Sequence, residues 1–414
     1  MLIISTDRAQ AAEPMRFGSD IESIDRATSR GLALSYGSFW VGSWTQKYGW
    51  GYAQDQMRAA AARNVTPVIH WWYWGDDISP TCVERGCFDG RQGVQKDKAT
   101  WYRMTAELSQ LIAQTMGNRE VVVIVETEFN KGGIETYPPF DQYLSDQAAI
   151  LHQRGNVKVV VGFGNWGREN WSRFSRSIGS ADYLGAQLLR SSLRDGSYGD
   201  AVGSIISSAR YLQGAFGKPT FITDLALSSY PTSNFEQVQA NVFANLFSRM
   251  NELKDAGVRG VIYRMMMDDP GFDTANYHGE AERHWGLLRA DGSEKPAFSQ
   301  FVAGLRREQS GTPAPTANPA PPAGPTANVP NAPANFRSQV NGGVVTMQWD
   351  AAASASSYLI EAGSASGLTN LATVEVGATG IQVNAPPGTY FVRVRARNGS
   401  GLSGGSNEQI VQVR

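Results

Sequence analysis

Three carboxylates stand where apolar runs of the chain come to an end. The run EVVVIVETEFNKGG delivers Glu126 and Glu128, and the run GKPTFITDLALSSY delivers Asp224. Side chains alternate along an extended strand, so Glu126 and Glu128 are expected to point the same way. A carboxylate packed unpartnered against a helix layer is costly, which favours an open mouth as their destination. Two carboxyl groups converging on one space, one protonated and one ionised, suit the cleavage of a glycosidic bond. One gives a proton to the leaving oxygen while the other attacks or activates water. Glu128 and Asp224 are the expected pair. Glu126 is read either as an assisting or alternative carboxylate or as a structural partner, and a lone Asp after a strand is often only a helix cap.

Around these carboxylates lie aromatic and polar residues suited to a hydroxyl-rich ligand with apolar ring faces. HWWYWGDD offers His70, Trp72 and Trp74 on one side of a strand, with Trp71 and Tyr73 on the other, followed by Asp76 and Asp77. Asn130, Asn165, Trp166, Gln187, Tyr263, Arg264 and Asp268 close other runs, and all but Asp268 complete the expected binding set. The four histidines (His70, His152, His278 and His284) show no metal-ligand spacing, and neither a G-x-S-x-G elbow nor a phosphate-binding glycine loop is present. Neither a metal nor a cofactor is expected. A formal net charge of −1, with 18% charged residues, gives no reason to expect nucleic acid or an anionic membrane as partner.

The elements that must position these groups alternate. Strand-like runs at 33–40, 66–74, 120–129, 157–166, 182–189, 219–227 and 260–267 are separated by amphipathic helical segments such as ATWYRMTAELSQLIAQTMG. An eighth, weak strand within residues 1–20 would close a (β/α)8 TIM barrel, so residues 15–308 are expected to form an α/β catalytic domain. The stretch 309–331, rich in Pro, Ala and Thr, reads as an extended linker. Short β-rich runs over 332–414 predict a C-terminal all-β sandwich. The only two cysteines, Cys82 and Cys87, share one loop and are expected to form a local disulfide in an oxidising compartment. The N-terminal MLIISTDRAQAAEP is similar to the stump of a signal peptide, so a secreted protein is expected. No run reaches the roughly 18 apolar residues of a membrane span, and a monomer is the default expectation.

Two resemblances extend this reading. Residues 332–414 resemble a fibronectin type III domain, whose landmark aromatics would be Trp349, Tyr358 and Tyr390, taken as core. The upstream half resembles the clan A retaining (β/α)8 glycoside hydrolases, which include β-mannanases, cellulases and xylanases. Thr127-Glu128-Phe129-Asn130 falls on the strand-four acid/base pattern, with Thr127 in place of Asn or His. GKPTFITDLALSS falls on the strand-seven nucleophile pattern with Asp224 in place of Glu. HWGLLRADGSEKPAF, residues 284–298, is similar to the run that follows strand eight. The resemblance implies a β-linked polysaccharide substrate, with Glu128 as acid/base and Asp224 as nucleophile, and the linker with its extra module suits internal cleavage of a polymer. The alternatives are an inverting enzyme that uses Asp224 as general base and a barrel that binds sugar without cutting it.

Overall fold

The computed structural model of the chain describes residues 15–164, 168–190, 201–230, 233–272, 279–310, 330–363, 371–398 and 401–413. Asn165 and Trp166 lie outside them, as does most of the expected linker. Two compact units divide the chain, Met1–Ala317 and Asn318–Arg414.

In the first unit, eight parallel strands form a closed barrel: β1 (Arg16–Asp20), β2 (Tyr36–Gly42), β3 (Thr66–Trp72), β4 (Val121–Val125), β5 (Val157–Val161), β6 (Tyr183–Arg190), β7 (Thr220–Leu227) and β8 (Val258–Tyr263). Each pairs with its neighbours in the chain, and β8 closes on β1 with Arg16 opposite Gly260. A strand buried on both faces reads as a continuous apolar run, and β4, VVVIV, is buried throughout. Alternation divides the side chains cleanly. Tyr36, Val68, Val122, Ile124, Val160, Phe221 and Ile262 fill the barrel interior, while Ile69, Val121, Val123, Ala186, Leu225 and Val261 face the helices.

The helices present one apolar face to this layer. Lys98–Met116 starts on an Asp97 cap, whose side chain accepts from the Thr100 backbone N–H at 2.8 Å, and buries Trp101, Met104, Leu108 and Ile112 at helical spacing. Between β3 and this helix sits an insert, comprising the helix Pro80–Arg85 and the antiparallel hairpin Cys87–Asp89 with Val94–Lys96. Cys82 and Cys87 are joined by a disulfide inside it. No helix among the described residues is long and apolar enough to cross a membrane.

The second unit is a two-sheet β structure. One sheet has the order β9 (Arg337–Asn341), β10 (Val344–Gln348), β13 (Gly380–Asn384). The other runs β12 (Ala372–Val376), β11 (Ser357–Gly363), β14 (Gly388–Asn398), β15 (Gly401–Gly405), with β16 (Gln409–Val413) also paired to β14. Trp349 and Tyr358 are buried in its core with Phe336, Met347 and Val394. Tyr390 is half-buried, and its hydroxyl donates to the Pro386 carbonyl at 2.8 Å.

The loop after β8 is locked by a buried ion pair. Lys295 Nζ lies 2.6 Å from Asp268 Oδ1 and 2.8 Å from Ser229 Oγ, and Asp268 Oδ1 also accepts from the Gly286 N–H at 2.8 Å. Asp268 is therefore spent inside the fold. Removing one partner of a buried pair leaves an uncompensated charge, so Lys295→Met should lower the unfolding free energy of the barrel by about 3–5 kcal/mol. Denaturant melts test this, and Lys295→Met combined with Asp268→Asn should recover much of the loss.

Candidate active site

The C-terminal ends of the barrel strands open into a cleft of about 390 Å³ lined by, among others, Asp20, Trp40, Trp44, His70, Trp72, Thr127, Glu128, Gln187, Asp224 and Arg264. Each of its groups is aimed by a local backbone feature.

Asp224 arrives through a bulge. On β6, Ala186 and Gln187 face Ile222 and Asp224, and on β8, Val261 and Tyr263 face Ile222 and Leu225. Strand β7 thus carries one extra residue, Thr223, whose Oγ1 donates to the Ala186 carbonyl at 3.3 Å. Ile222, Leu225 and Leu227 all pack in the outer layer. Regular alternation from the inward Phe221 would turn Asp224 outward too; the bulge switches the parity and brings its carboxylate into the cleft.

Glu128 arrives through a reversal of the chain. Strand β4 ends at Val125, and both Glu126 (φ 50°) and Glu128 (φ 60°) adopt the left-handed region. Non-glycine residues enter that region rarely, and they cluster at functional sites. Met265, which lines the same cleft, is a third example at φ 59°.

These dihedrals also correct the expectation that Glu126 and Glu128 share a side. Glu126 is buried and does not line the cleft. Its Oε1 accepts from the Tyr73 backbone N–H at 3.0 Å, and its Oε2 lies 3.3 Å from the Trp74 N–H. Glu128 Oε2 instead lies 3.9 Å from Lys131 Nζ in the cleft, with its side chain 19% exposed.

The electrostatics separate the carboxylates further. Asp224, 1% exposed, is pushed up to about 7 by burial and by the neighbouring Glu128, against the pull of Arg264 and of Gln187, whose Nε2 donates to Oδ2 at 3.3 Å. Glu126 is pushed up to about 8 by burial, against the two backbone N–H groups and the positive charges of Lys96 and Lys131.

Aromatic rings form the walls. Trp40 stacks on His70 with ring centroids 4.1 Å apart and meets Trp72 edge-on at 5.5 Å. The Arg264 guanidinium lies 5.8 Å from the centroid of Trp40. Burial, together with that guanidinium, holds His70 down at about 3, so its imidazole is neutral. His70 Nδ1 lies 3.1 Å from Thr127 Oγ1, and the Thr127 carbonyl accepts from Trp72 Nε1 at 3.1 Å. The buried Nε2 of His70 has no hydrogen-bond partner among the described residues. Trp44 covers Gly42, where any Cβ would collide with its six-membered ring.

Of the residues expected from sequence, His70, Trp72, Glu128, Gln187, Asp224 and Arg264 line the cleft. Others do not. Trp74 follows the end of β3 and is fully buried against Tyr73 and Trp101 in the outer core, so strand alternation no longer governs it. Tyr263 also faces outward, packed on Phe243 and Phe301, with its hydroxyl donating to the Trp285 carbonyl. Asn130 is buried and ties the β4 loop to the end of β5, exchanging hydrogen bonds with Gly164 N and O at 2.6 and 3.2 Å. Asp76 pairs with Lys131 at 2.9 Å outside the cleft proper. Sequence reasoning missed Asp20, Trp40, Trp44 and Thr127. For Trp40 the signal was present: it sits in the apolar run SYGSFW, four residues after the inward Tyr36, and so on the inward face.

Among the described residues, no group of three or more His, Cys, Asp or Glu side chains is arranged to hold a metal ion.

No family model matches the chain, and neither does any curated protein. Solved structures do. The chain is similar to an endo-beta-1,4-mannanase from Thermotoga petrophila at 10% identity, covering 97% of this chain and 98% of that one, with a TM-score of 0.50. It is similar to an exo-beta-1,4-mannosidase from an Opitutaceae bacterium at 12% identity, covering 72% and 60%, with a TM-score of 0.53. A GH5_18 protein from Bifidobacterium longum matches at 11% identity, covering 73% and 81%, with a TM-score of 0.53. At these identities the likeness is one of fold.

The placement of Glu126 has a measurable consequence. A carboxyl whose pKa is raised by folding binds protons more tightly in the native state, so its contribution to stability declines as pH rises from its unfolded value near 4.5 to about 8. Glu126→Gln keeps an acceptor for the Tyr73 N–H and removes the titration. The difference in stability between variant and wild type should therefore shift in the variant's favour between pH 5 and 8, as read by melts at each pH. A difference independent of pH would refute this environment for Glu126.

Proposed function

We propose that this chain is a glycoside hydrolase that cleaves a β-linked polysaccharide internally through the Glu128 and Asp224 carboxyls. The observation that carries this reading is the convergence of both groups, by two separate backbone irregularities, on one aromatic cleft at the strand-end mouth of a (β/α)8 barrel. In the proposed reaction Glu128 protonates the leaving glycosidic oxygen. Asp224 attacks the anomeric carbon as the glycosidic C–O bond breaks; Glu128, now a base, deprotonates a water that attacks the same carbon and displaces Asp224, completing turnover with retention. Gln187 and Arg264 orient Asp224 and favour its ionised form, while Trp40, Trp72 and neutral His70 offer ring faces and a hydrogen bond to sugar. Asp224 is one methylene shorter than the Glu of the resembled family, and this favours one competing course: inversion, with Asp224 activating a water in a wider gap.

Further features suit an enzyme of secreted polymers. The Cys82–Cys87 disulfide fits an oxidising compartment. The second unit is read as a fibronectin type III domain, a reading supported by its three- and five-stranded sheets, the buried Trp349 and the Tyr390-to-Pro386 hydrogen bond. Residues 309–331 are read as the tether between the two.

A panel of β-1,4-mannan, β-1,4-galactan, cellulose and xylan, with NMR of the first-formed anomer, tests activity, linkage and stereochemistry together. Glu128→Gln should lower turnover of the cleaved polymer at least about a hundredfold; undiminished hydrolysis would overturn its role. Because Asp224 must lose its proton before it attacks, kcat/KM of the wild type on an aryl glycoside whose leaving group needs no proton from Glu128 should rise as pH increases through about 7. Glu128→Gln removes a neighbouring negative charge, so with an aryl glycoside whose leaving group needs no proton, that acid limb should move to lower pH.

A further inference from the structure

Beyond the catalytic cleft lies a second hollow of about 250 Å³, and the two share a wall. Trp44 and Trp72 line both. Its remaining lining comes from the end of β2, from Gly75–Asp77 and from the disulfide-bearing insert, including Ser43, Gly90, Arg91, Gln92 and Lys96.

The insert is held rigidly. Buried Lys96 donates to the Trp74 carbonyl at 2.7 Å and lies 3.0 Å from both Asp77 Oδ2 and Asp89 Oδ2. Asp89 accepts from the backbone N–H groups of Arg91 and Gln92 at 2.9 and 2.8 Å and from Ser43 Oγ at 3.3 Å. Burial works against its ionisation, yet the Gln92 N–H and Lys96 outweigh it and hold the carboxyl below its usual range. The buried charges of the hollow are thus neutralised within its floor. What it offers a ligand is two indoles, the Arg91 and Gln92 side chains, and the part-exposed carboxylates of Asp76 and Asp77, each of them paired with a lysine. Such a surface suits a neutral, hydroxyl-rich ring rather than an ion.

We propose that this hollow is a further subsite for the same polysaccharide chain, accepting a neutral pyranose unit beyond those held between Trp40, Trp72 and the two carboxyls. The inference rests on the glycosidase reading above. A continuous wall of two shared indoles lets one polymer strand run from cleft to hollow, and preorganisation by Lys96 and the disulfide limits the ordering cost of binding.

A plug tests it. Gly90 lines the hollow, has an ordinary φ, and a Cβ built on it meets no atom within 4 Å. Gly90→Phe therefore adds a bulky ring at the lining of the hollow with no clash at its Cβ, and Gln92→Ala removes a polar side chain of the lining without adding bulk. Oligomers of two to eight units, fractionated from a partial hydrolysate of whichever panel polysaccharide is cleaved, are compared by kcat/KM in the full-length protein. Wild type should gain activity with chain length. Gly90→Phe should lose about tenfold, near 1.4 kcal/mol, on the longest oligomers and nothing on the shortest one cleaved; Gln92→Ala should lose less, with the same length dependence. A chain-length profile unchanged in Gly90→Phe overturns the subsite and leaves the glycosidase reading standing. Wild-type protein that cleaves no member of the panel overturns that reading and the subsite with it.

Discussion

The carboxylate of Glu126 is the constraint on which the mouth of the barrel depends. By accepting the backbone N–H groups of Tyr73 and Trp74, it fastens the chain leaving β3 to the chain leaving β4. Those N–H groups belong to a segment that has ended its ladder and would otherwise be buried without partners, which is costly. The tie requires Glu126 to leave strand geometry, and the positive φ that permits this turns the next residues toward the opening. Thr127 can then meet His70, and Glu128 can enter the cleft. A single buried carboxylate thereby fixes Trp72, Thr127 and Glu128 with respect to each other.

The fold was largely legible because its signal is strong and repeated. Seven apolar runs separated by amphipathic helices leave few architectures available, and each run overlaps a barrel strand. The weak member, β1, has a physical excuse. In RFGSD only Phe17 is apolar, and it faces the helices; the interior position opposite Tyr36 is Gly18, where a Cβ would collide with the Tyr36 side chain. A strand that contributes space rather than a side chain to the interior leaves no hydrophobic pattern to read. The same holds for β15, GLSGG, which exists through pairing with β14 and not through composition.

The site was legible where alternation holds and illegible where it breaks. His70 and Trp72 follow from the pleat of β3, and Gln187 from that of β6. Trp74 lies beyond the last paired residue of β3, and Tyr263 occupies an outward position of β8, so the residue type alone was misleading at both. Asp224 was identified through its motif even though simple counting from Phe221 would place it among the helices. The extra Thr223 that corrects the count carries no local mark, because a bulge is decided by pairing with both neighbouring strands.

Burial and charge then differentiate carboxyls that look equivalent in the sequence. Glu126 and Asp224 both lose solvent, but Glu126 is met by backbone donors in a closed niche, whereas Asp224 faces a cleft with Arg264, Gln187 and Glu128 around it. An acid enclosed by its own backbone partners has nothing left to offer a ligand. An acid whose neighbours are other side chains at an opening keeps its proton equilibrium responsive to whatever enters, since displacing water strengthens the pull of Arg264 and the push of Glu128 alike. That difference, more than proximity in the chain, is why the proposed partner of Glu128 is Asp224 and not Glu126.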